Sequence, residues 1–275
     1  MVNALKQLIL TSLFAVILLT TSHATDTAKE KRWANQVSEF LVSGESIWLK
    51  ANGKRFLSIY TRSFPSALNK TKGAIIFLHG RGLHPDWPQV IHPLRTQLPD
   101  KGWTTLSLQM PILENDATDK DYIALFKYVP SRIQAGIEFL SKQGLQNIIL
   151  IGHSLGSNMG SYFLSKFPDS RIKAFVGIGM VGNPQHKQYL PLDNVSSILR
   201  MHIPVLDVYG SDTFPSILES VDRLSFAIAV YRSSNKSRYS RKIRIDGANH
   251  FFQQYEQELL DVISDWISKF STNNG

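Results

Sequence analysis

The stretch IILIGHSLG, residues 148–156, decides the fold class of this sequence. Its consecutive aliphatic residues predict a strand that is buried on both faces, which is typical of the centre of a parallel sheet. A Gly-x-Ser-x-Gly pattern and then a helical pattern follow. A serine at such a strand-to-helix turn lies in strained backbone, and side chains two residues before and after it would collide. Gly152 and Gly156 remove those side chains, so Ser154 is the candidate nucleophile.

A serine hydroxyl is a weak nucleophile and needs a general base that a third group orients. The chain order expected after this turn is serine, acid, histidine. Asp212 follows the apolar strand at 204–209, and His250 follows the last predicted strand, so both lie at strand ends where open α/β sheets build their sites. Rival acids and bases stay open, namely Asp193, Asp207 and Asp246 and the histidines His79, His153, His186 and His202.

Negative charge that develops on a substrate oxygen is stabilised by fixed N–H donors near the nucleophile. Leu155 supplies one backbone N–H at the start of the helix. The second donor is expected in the loop after the third predicted strand, where Gly80 and Gly82 let the backbone approach a substrate. We predict the backbone N–H of Arg81 as that donor, and we interpret its side chain as exposed to solvent.

The composition excludes several kinds of chemistry. The chain has 275 residues, of which 43% are hydrophobic, and this is enough for one large core and too apolar for wholesale disorder. It contains no cysteine, which excludes disulfides, thiolate zinc sites, iron–sulfur clusters and a cysteine nucleophile. The formal charge of +8 favours solubility and predicts a weak attraction to anionic surfaces.

Residues 1–24 have the pattern of a secretory signal peptide. Lys6 is followed by an apolar run at 8–20 and by small residues that predict cleavage after Ala24. The rival interpretation is a retained membrane anchor, but the run is shorter than the roughly 20 apolar residues that cross a bilayer. No other stretch is long and apolar enough to span a membrane. We expect an exported protein, in the periplasm first and secreted as the alternative, because a cysteine-free chain suits a bacterial envelope.

The remainder divides into an N-terminal arm at 25–44 and one domain at 45–275. Two early strands are followed by alternating β and α patterns, which predict a doubly wound, mostly parallel sheet of about eight strands with helices on both faces. The predicted strands are 46–51, 55–63, 74–78, 104–110, 147–151, 172–178, 205–209 and 242–245. The predicted helices are 121–143, 155–166, 215–231 and 250–270.

The motifs HGRG, GHSLG, GSD and GANH, in this order, resemble the α/β-hydrolase superfamily over about residues 47–270. The box GLHPDWP at 82–88 more closely resembles a poorly characterised family of exported bacterial hydrolase-like proteins. The resemblance implies an α/β-hydrolase fold without a cofactor. The residues it assigns are Ser154 as nucleophile, His250 as base, Asp212 as the group that orients the base, and Leu155 with Arg81 as oxyanion donors.

These features predict an exported serine hydrolase that cleaves a carboxylic ester through an acyl-enzyme on Ser154. A peptidase or an acyltransferase can use the same residues, and a non-catalytic envelope binding protein can keep the same scaffold. The connection at 180–203 is too short for a large lid domain, so we expect an open or shallow pocket for a small-molecule or envelope-derived acyl substrate.

Two weaker features accompany this prediction. Trp87 in the box is a candidate pocket wall, although a purely structural role is the stronger interpretation, and the neighbouring His84, Asp86 and His92 have a spacing that suits no common metal site. A basic cluster at 232–244 has the character of a solvated connection. It carries no nucleic-acid motif, so no nucleic-acid partner is expected.

Overall fold

The computed structural model describes residues 27–64, 71–182, 191–233 and 238–271. These residues form one eight-stranded sheet. The strands are β1 (Glu45–Ala51), β2 (Lys54–Thr61), β3 (Gly73–Leu78), β4 (Trp103–Leu108), β5 (Ile148–His153), β6 (Ile172–Ile178), β7 (Val205–Asp212) and β8 (Arg241–Asn249). Their order across the sheet is β1-β2-β4-β3-β5-β6-β7-β8, so the predicted doubly wound architecture is confirmed.

Helices cover both faces of this sheet. They are α1 (Thr27–Phe40), α2 (Ile91–Gln97), α3 (Asp119–Ile123), α4 (Val129–Lys142), α5 (Leu155–Lys166), α6 (Asn194–Arg200), α7 (Pro215–Leu218), α8 (Val221–Ser233) and α9 (Glu256–Ser268). Short 3₁₀ helices lie at Pro99–Lys101 and Ala124–Tyr128. The helix α6 was not among the predicted helical segments, because it has only seven residues and shows too little apolar periodicity to be recognised.

The direction of the strands decides where a site can form. The strands β1 and β2 pair antiparallel, and β2 pairs antiparallel with β4. From β4 to β8 every neighbouring pair is parallel. The carboxyl ends of β3, β5, β6, β7 and β8 therefore meet at one edge of the sheet, which is the edge where open α/β sheets bind ligands.

The central strand β5 separates two hydrophobic layers. Ile149 and Ile151 pack into one layer and Ile148 and Leu150 into the other, because successive side chains of a strand point to opposite faces. All four side chains are fully buried, and burying an aliphatic side chain of this size stabilises a fold by about 1.5–3 kcal/mol. The site at the end of β5 thus rests on the most buried part of the core.

Three of the predicted helices differ from the observed ones. The helix predicted at 121–143 is divided, and α4 starts with Pro130 in its first turn, where a proline is tolerated because that N–H has no intrahelical partner. The helix predicted at 215–231 is divided into α7 and α8. The last helix starts at Glu256 instead of His250, because Phe252 and Gln254 have left-handed backbone with φ of 53° and 68°.

The N-terminal arm is tied to the domain by buried polar contacts. Glu30 of α1 forms an ion pair with Arg132 of α4 at 2.9 Å, and both side chains are almost fully buried. The Lys29 ammonium donates to the carbonyl of Leu113 at 2.9 Å. Trp33 lies against His84 in the GLHPDWP box, with ring centroids 4.6 Å apart. The arm therefore contacts the same part of the domain as the predicted oxyanion loop.

The predicted signal peptide at 1–24 lies outside the described residues. Within the described ranges, no helix has both the length and the apolar character to cross a bilayer. The described part of the connection between β6 and β7 contains the short helix α6 and no lid domain. The edge of the sheet that carries the predicted catalytic residues is thus not covered by a separate domain in the described part of the chain.

Candidate active site

Ser154 occupies the sharp turn between β5 and α5. Its backbone has φ 54° and ψ −122°, a conformation that costs a residue with a side chain about 1–3 kcal/mol. The Ser154 N–H donates to the carbonyl of Ile178 at 2.8 Å, which fixes the turn to the end of β6. A Cβ at Gly152 would lie 2.5 Å from the backbone of Gly156, and a Cβ at Gly156 would collide with the backbone carbonyls of Leu78 and His79. This packing leaves no room for a side chain at either position.

The loop after β3 lies directly against Ser154. A Cβ at Gly80 would be 3.3 Å from the Cβ of Ser154. The Gly80 carbonyl accepts from the Nδ1–H of His79 at 2.8 Å and from the N–H of Leu83 at 3.3 Å. In a trans peptide the carbonyl and the following N–H point in opposite directions, so the N–H of Arg81 points away from these partners. The role of Arg81 as an oxyanion donor stays a prediction.

The second predicted donor, Leu155, is the first residue of α5. The first N–H groups of a helix have no intrahelical partner and carry the positive end of the helix dipole. The helix start thus directs partial positive charge toward the position of the Ser154 side chain. The Arg81 guanidinium lies 4.9 Å from the centre of the Tyr122 ring, so the exposed Arg81 side chain also has an aromatic contact that the sequence did not indicate.

His79 is hydrogen-bonded to the loop after β3. Its Nε2 accepts from the backbone N–H of Met110 at 2.9 Å, and the Gln109 side-chain amide lies at the same distance from this atom. Because Nε2 is an acceptor, the hydrogen sits on Nδ1 and is donated to Gly80. Complete burial lowers the pKa of His79 to about 3, so the ring is neutral at physiological pH. His79, one of the rival bases in the sequence, thus has both ring nitrogens engaged, and its contact with the loop gives it a positioning role.

His250 lies in the turn after β8 and is only 5% exposed. Its Nδ1 is 3.3 Å from the hydroxyl of Thr213, and the ring of Phe214 lies 4.4 Å from the imidazole. The Nε2 of His153 is 3.1 Å from the backbone carbonyl of His250. Burial lowers the pKa of His250 to about 4, so the imidazole is neutral at pH 7 and can accept a proton.

Ser154 and His250 converge on the end of β6. Ser154 is bonded to Ile178, and a Cβ on the next residue, Gly179, would lie 2.9 Å from the imidazole of His250. Gly179 has a left-handed φ of 62°, so a residue with a side chain is disfavoured here by both conformation and space. No hydrogen bond joins Ser154 to His250, although both residues are described.

Asp212 is the last residue of β7, and its side chain is exposed. It pairs with Asn249 in the β7–β8 ladder. Although both residues are described, no hydrogen bond or ion pair joins Asp212 to His250. The role of Asp212 as the group that orients the base therefore stays a prediction.

The other candidates from the sequence have different partners. Asp193 caps α6 and accepts from the N–H of Ser196 at 3.0 Å. Asp207 is buried and forms an ion pair with Lys242 at 2.7 Å, while the exposed Asp246 pairs with Arg244. His153 is fully buried beside His250. His202 is exposed, and His186 lies outside the described residues.

The GLHPDWP box forms a buried polar cluster. Asp86 accepts from His92 at 2.7 Å and from the fully buried Arg95 at 2.6 Å. Trp87 is half-buried, lies 5.3 Å from the ring of His84 and packs on the hydrophobic layer around Val90. These contacts give the box a structural function, and the wall role of Trp87 stays a prediction.

A separate cleft of about 330 Å³ lies between α1 and the β1–β2 hairpin. It is lined by residues of α1, by Trp48 and by 54–57, and it reaches Gln109. The side-chain amide of Gln109 lies 2.9 Å from the Nε2 atom of His79. Ser154 and His250 are not among the lining residues.

The structure thus places a serine in strained backbone at the end of β5, with the loop after β3 against it. A neutral, buried imidazole lies after β8 and against Gly179, at the end of β6. In the part of the chain that the structure describes, no group of three or more histidine or carboxylate side chains is placed to hold a metal ion.

The structure is similar to solved esterases. Est1E from Butyrivibrio proteoclasticus matches with a TM-score of 0.58 and 15% identity, over 82% of this chain and 98% of that chain. The esterase Pf2001 from Pyrococcus furiosus matches with a TM-score of 0.61 and 14% identity, over 83% and 93%. An alpha-beta serine hydrolase homologue from Coxiella burnetii matches with a TM-score of 0.56 and 16% identity, over 82% and 98%. At these identities the likeness confirms the predicted α/β-hydrolase fold and nothing finer.

Comparison with sequences gives a family. No curated protein sequence matches the chain. A family model described as a protein of unknown function (DUF3530) matches residues 19–127 and 114–269, which together span most of the chain. The chain therefore belongs to the DUF3530 family.

Proposed function

We propose that this protein is an exported serine hydrolase that cleaves a carboxylic ester through an acyl-enzyme on Ser154. The observation that carries the proposal is the strained backbone of Ser154 with the Gly80–Arg81 loop against it. A serine with a positive φ costs about 1–3 kcal/mol of backbone strain, so this conformation is maintained only where the surroundings enforce it. Such strain clusters at functional sites. The similarity of the fold to several esterases supports the same class of reaction.

The proposed reaction has two steps. The Ser154 oxygen bonds to the acyl carbon while His250 takes the hydroxyl proton, and the N–H groups of Leu155 and Arg81 stabilise the oxyanion. The intermediate then breaks its bond to the alkoxide, which leaves with the proton from His250. In the second step a water molecule gives a proton to His250 and its oxygen bonds to the acyl carbon. The bond between the acyl carbon and the Ser154 oxygen then breaks, the Ser154 oxygen takes the proton from His250, and the acid is released. No cofactor is part of this sequence of steps.

The substrate in this proposal is a small or envelope-derived acyl compound. The described part of the connection between β6 and β7 forms no lid domain, which favours a short acyl chain over a long lipid chain. The predicted signal peptide supports a periplasmic location, with secretion as the alternative. A peptidase and an acyltransferase use the same steps with an amide substrate or a different acceptor.

The test is labelling by a fluorophosphonate probe, which reacts with activated serines. We expect the wild-type protein to be labelled and Ser154→Ala to lose the label completely. Ser165→Ala is the matched control, because Ser165 lies on the same helix and bonds the Tyr162 carbonyl at 3.0 Å, away from the turn. Labelling of Ser154→Ala at the wild-type level would reject Ser154 as nucleophile. A panel of short esters, amides and acyl acceptors then separates the three reactions.

A second candidate function is a non-catalytic binding protein of the envelope. The observation that favours it is the exposed Asp212, which forms no hydrogen bond or ion pair with His250 although both residues are described. A folded wild-type protein that neither reacts with the probe nor turns over any member of the panel would support this candidate.

A further inference from the structure

The hydroxyl of Thr213 is the polar side-chain group that faces the Nδ1 atom of His250, at 3.3 Å. In serine hydrolases this position is the one from which a third group orients the base. We propose that the Thr213 hydroxyl, and not the Asp212 carboxylate, holds the imidazole of His250 in this protein. Thr213 is then a positioning residue, and the proposal concerns the same site as the proposed function and rests on it.

The pairing of β7 with β8 explains why the threonine takes this place. The ladder pairs Gly210 with Ile245, then shifts and pairs Asp212 with Asn249. A shift in register changes which residue at a strand end faces a given neighbour. The hydroxyl of Ser211 accepts from the N–H of Gly247 at 2.7 Å and anchors the shifted pair. Asp212 thus stays in the ladder with its side chain exposed, and Thr213 is the first residue beyond it.

The imidazole is held on several sides without a carboxylate. A Cβ at Gly179 would lie 3.0 Å from Nδ1, so the backbone of Gly179 closes in on the same edge of the ring that Thr213 contacts. Phe214 covers the ring at 4.4 Å, and the ring of His153 lies 4.9 Å away. His153, fully buried with a low pKa, is neutral at pH 7 and adds no charge to this environment.

The proton arrangement follows from the catalytic role. For Nε2 to accept the proton of Ser154, Nδ1 must carry hydrogen, and the Thr213 oxygen must accept that hydrogen bond. A neutral hydroxyl stabilises a protonated imidazole less than a carboxylate does, because it adds no charge attraction. The low pKa of His250, which is caused by burial, agrees with a base that lacks a carboxylate partner.

The first experiment measures the ring itself by NMR of protein labelled with ¹⁵N-histidine. His250→Gln assigns the His250 signals by their loss, and Thr213→Val, Thr213→Ser and Asp212→Asn are compared with the wild type. We expect Nδ1-protonated His250 in the wild type, in Thr213→Ser and in Asp212→Asn, and a shift toward the Nε2-protonated form in Thr213→Val. A carboxylate within reach of a titrating group shifts its pKa by about 1–3 units. A fall of that size in the His250 pKa of Asp212→Asn would overturn the proposal.

The outcome does not depend on a single variant. A Thr213→Val spectrum identical to the wild type also overturns the proposal. If Thr213→Val fails to fold, as judged by its backbone amide spectrum, the Asp212→Asn titration still decides between the two partners. Thr213→Ser keeps the hydroxyl and controls for the loss of the methyl group.

The second experiment measures the rate of fluorophosphonate labelling. General-base catalysis contributes about 10²–10⁴-fold, so we expect a loss of about 10²-fold in Thr213→Val, with rescue in Thr213→Ser. The loss in Asp212→Asn is expected to be about tenfold smaller than in Thr213→Val. The reverse order of the two losses would contradict the proposal. A wild type that is not labelled contradicts the proposed function instead, and the NMR titration then decides the role of Thr213 by itself.

Discussion

The two sides of the candidate site are built in different ways. The nucleophile side, formed by Gly80, Gly152, Ser154 and Gly156, is held by backbone against backbone, with atoms so close that no Cβ fits at Gly152 or Gly156. The base side, formed by Asp212, Thr213, Phe214 and His250, is held by side-chain contacts, among them a 3.3 Å contact and the ring of a half-exposed Phe214. The difference teaches that the core fixes the position of the serine, whereas the group that partners the histidine is set locally by a few side chains.

The largest effect that tests this difference is expected from Gly156→Ala. Its new Cβ would meet the backbone carbonyls of Leu78 and His79, which cannot move without shifting β3, so we expect the free energy of unfolding to fall by about 3 kcal/mol or more. Gly53→Ala is the matched control, because its Cβ would meet nothing within 4 Å and only the left-handed backbone costs about 1–2 kcal/mol.

On the base side, the substitution that corresponds to Gly156→Ala is Gly179→Ala. Its Cβ would meet the imidazole of His250, a side chain that can shift, in addition to the same cost of left-handed backbone. Urea denaturation of the three variants gives the order, with Gly156→Ala lowest in stability and Gly179→Ala between it and the control. A Gly156→Ala protein as stable as Gly53→Ala would break the comparison.

A smaller effect is expected from pH. His79, His84, His153 and His250 have pKa values of about 3, 4, 3 and 4 in the folded protein, all lowered mainly by burial. An unfolded histidine has a pKa of about 6.5, so the unfolded chain binds these protons first as the pH falls. The stabilisation is complete above pH 6.5 and is lost as the pH falls toward the folded values, at about 1.4 kcal/mol per pH unit for each histidine.

Urea denaturation between pH 7 and pH 5 measures this slope. His153→Asn removes one of these groups and keeps a donor for the carbonyl of His250, so we expect its slope to be lower by about 1.4 kcal/mol per pH unit. An unchanged slope would mean that His153 is protonated in the folded protein. Water then reaches the ring of His153 more readily than its burial indicates.

The smallest effect on stability and a specific effect on the base are expected from Phe214→Ala. Phe214 is 51% exposed, so its removal costs little burial, but its ring shields His250 from water. We expect the pKa of His250 to rise from about 4 toward its ordinary value of about 6.5, while the pKa of His79 stays at about 3. An NMR titration of both rings in one sample checks this. A parallel rise of both values would contradict the separation of the two sides.

The nucleophile side was readable from the sequence because its signal is local. The glycines at 152 and 156 stand two residues from the serine, and the aliphatic run before them marks a strand covered on both faces. The strands in the centre of the sheet were likewise predictable, since β3, β5 and β6 are compact apolar runs between turns. The support of the oxyanion loop by Gln109 was missed, because it joins two segments that meet only in the folded sheet.

The base side was only partly readable. The sequence places Asp212 and His250 at strand ends, but which side chain reaches the imidazole depends on the register between β7 and β8, and that register shifts near Gly210. Nothing in the local sequence marks such a shift, and Thr213 carries no signal beyond its place next to the predicted acid. Gly179 could not be predicted for the same reason, because the group that excludes a side chain there is the imidazole of His250, which is distant in the sequence.

The buried Glu30–Arg132 ion pair joins α1 to the core of the domain. The second amino group of Arg132 donates to the Gln109 carbonyl at 2.8 Å, one residue from the backbone N–H that holds His79. Undocking the helix would strand a guanidinium in the interior without its counter-ion, a penalty of about 3–5 kcal/mol for such pairs. We therefore expect α1 and the part of the sheet around Gln109 and His79 to unfold in one cooperative transition.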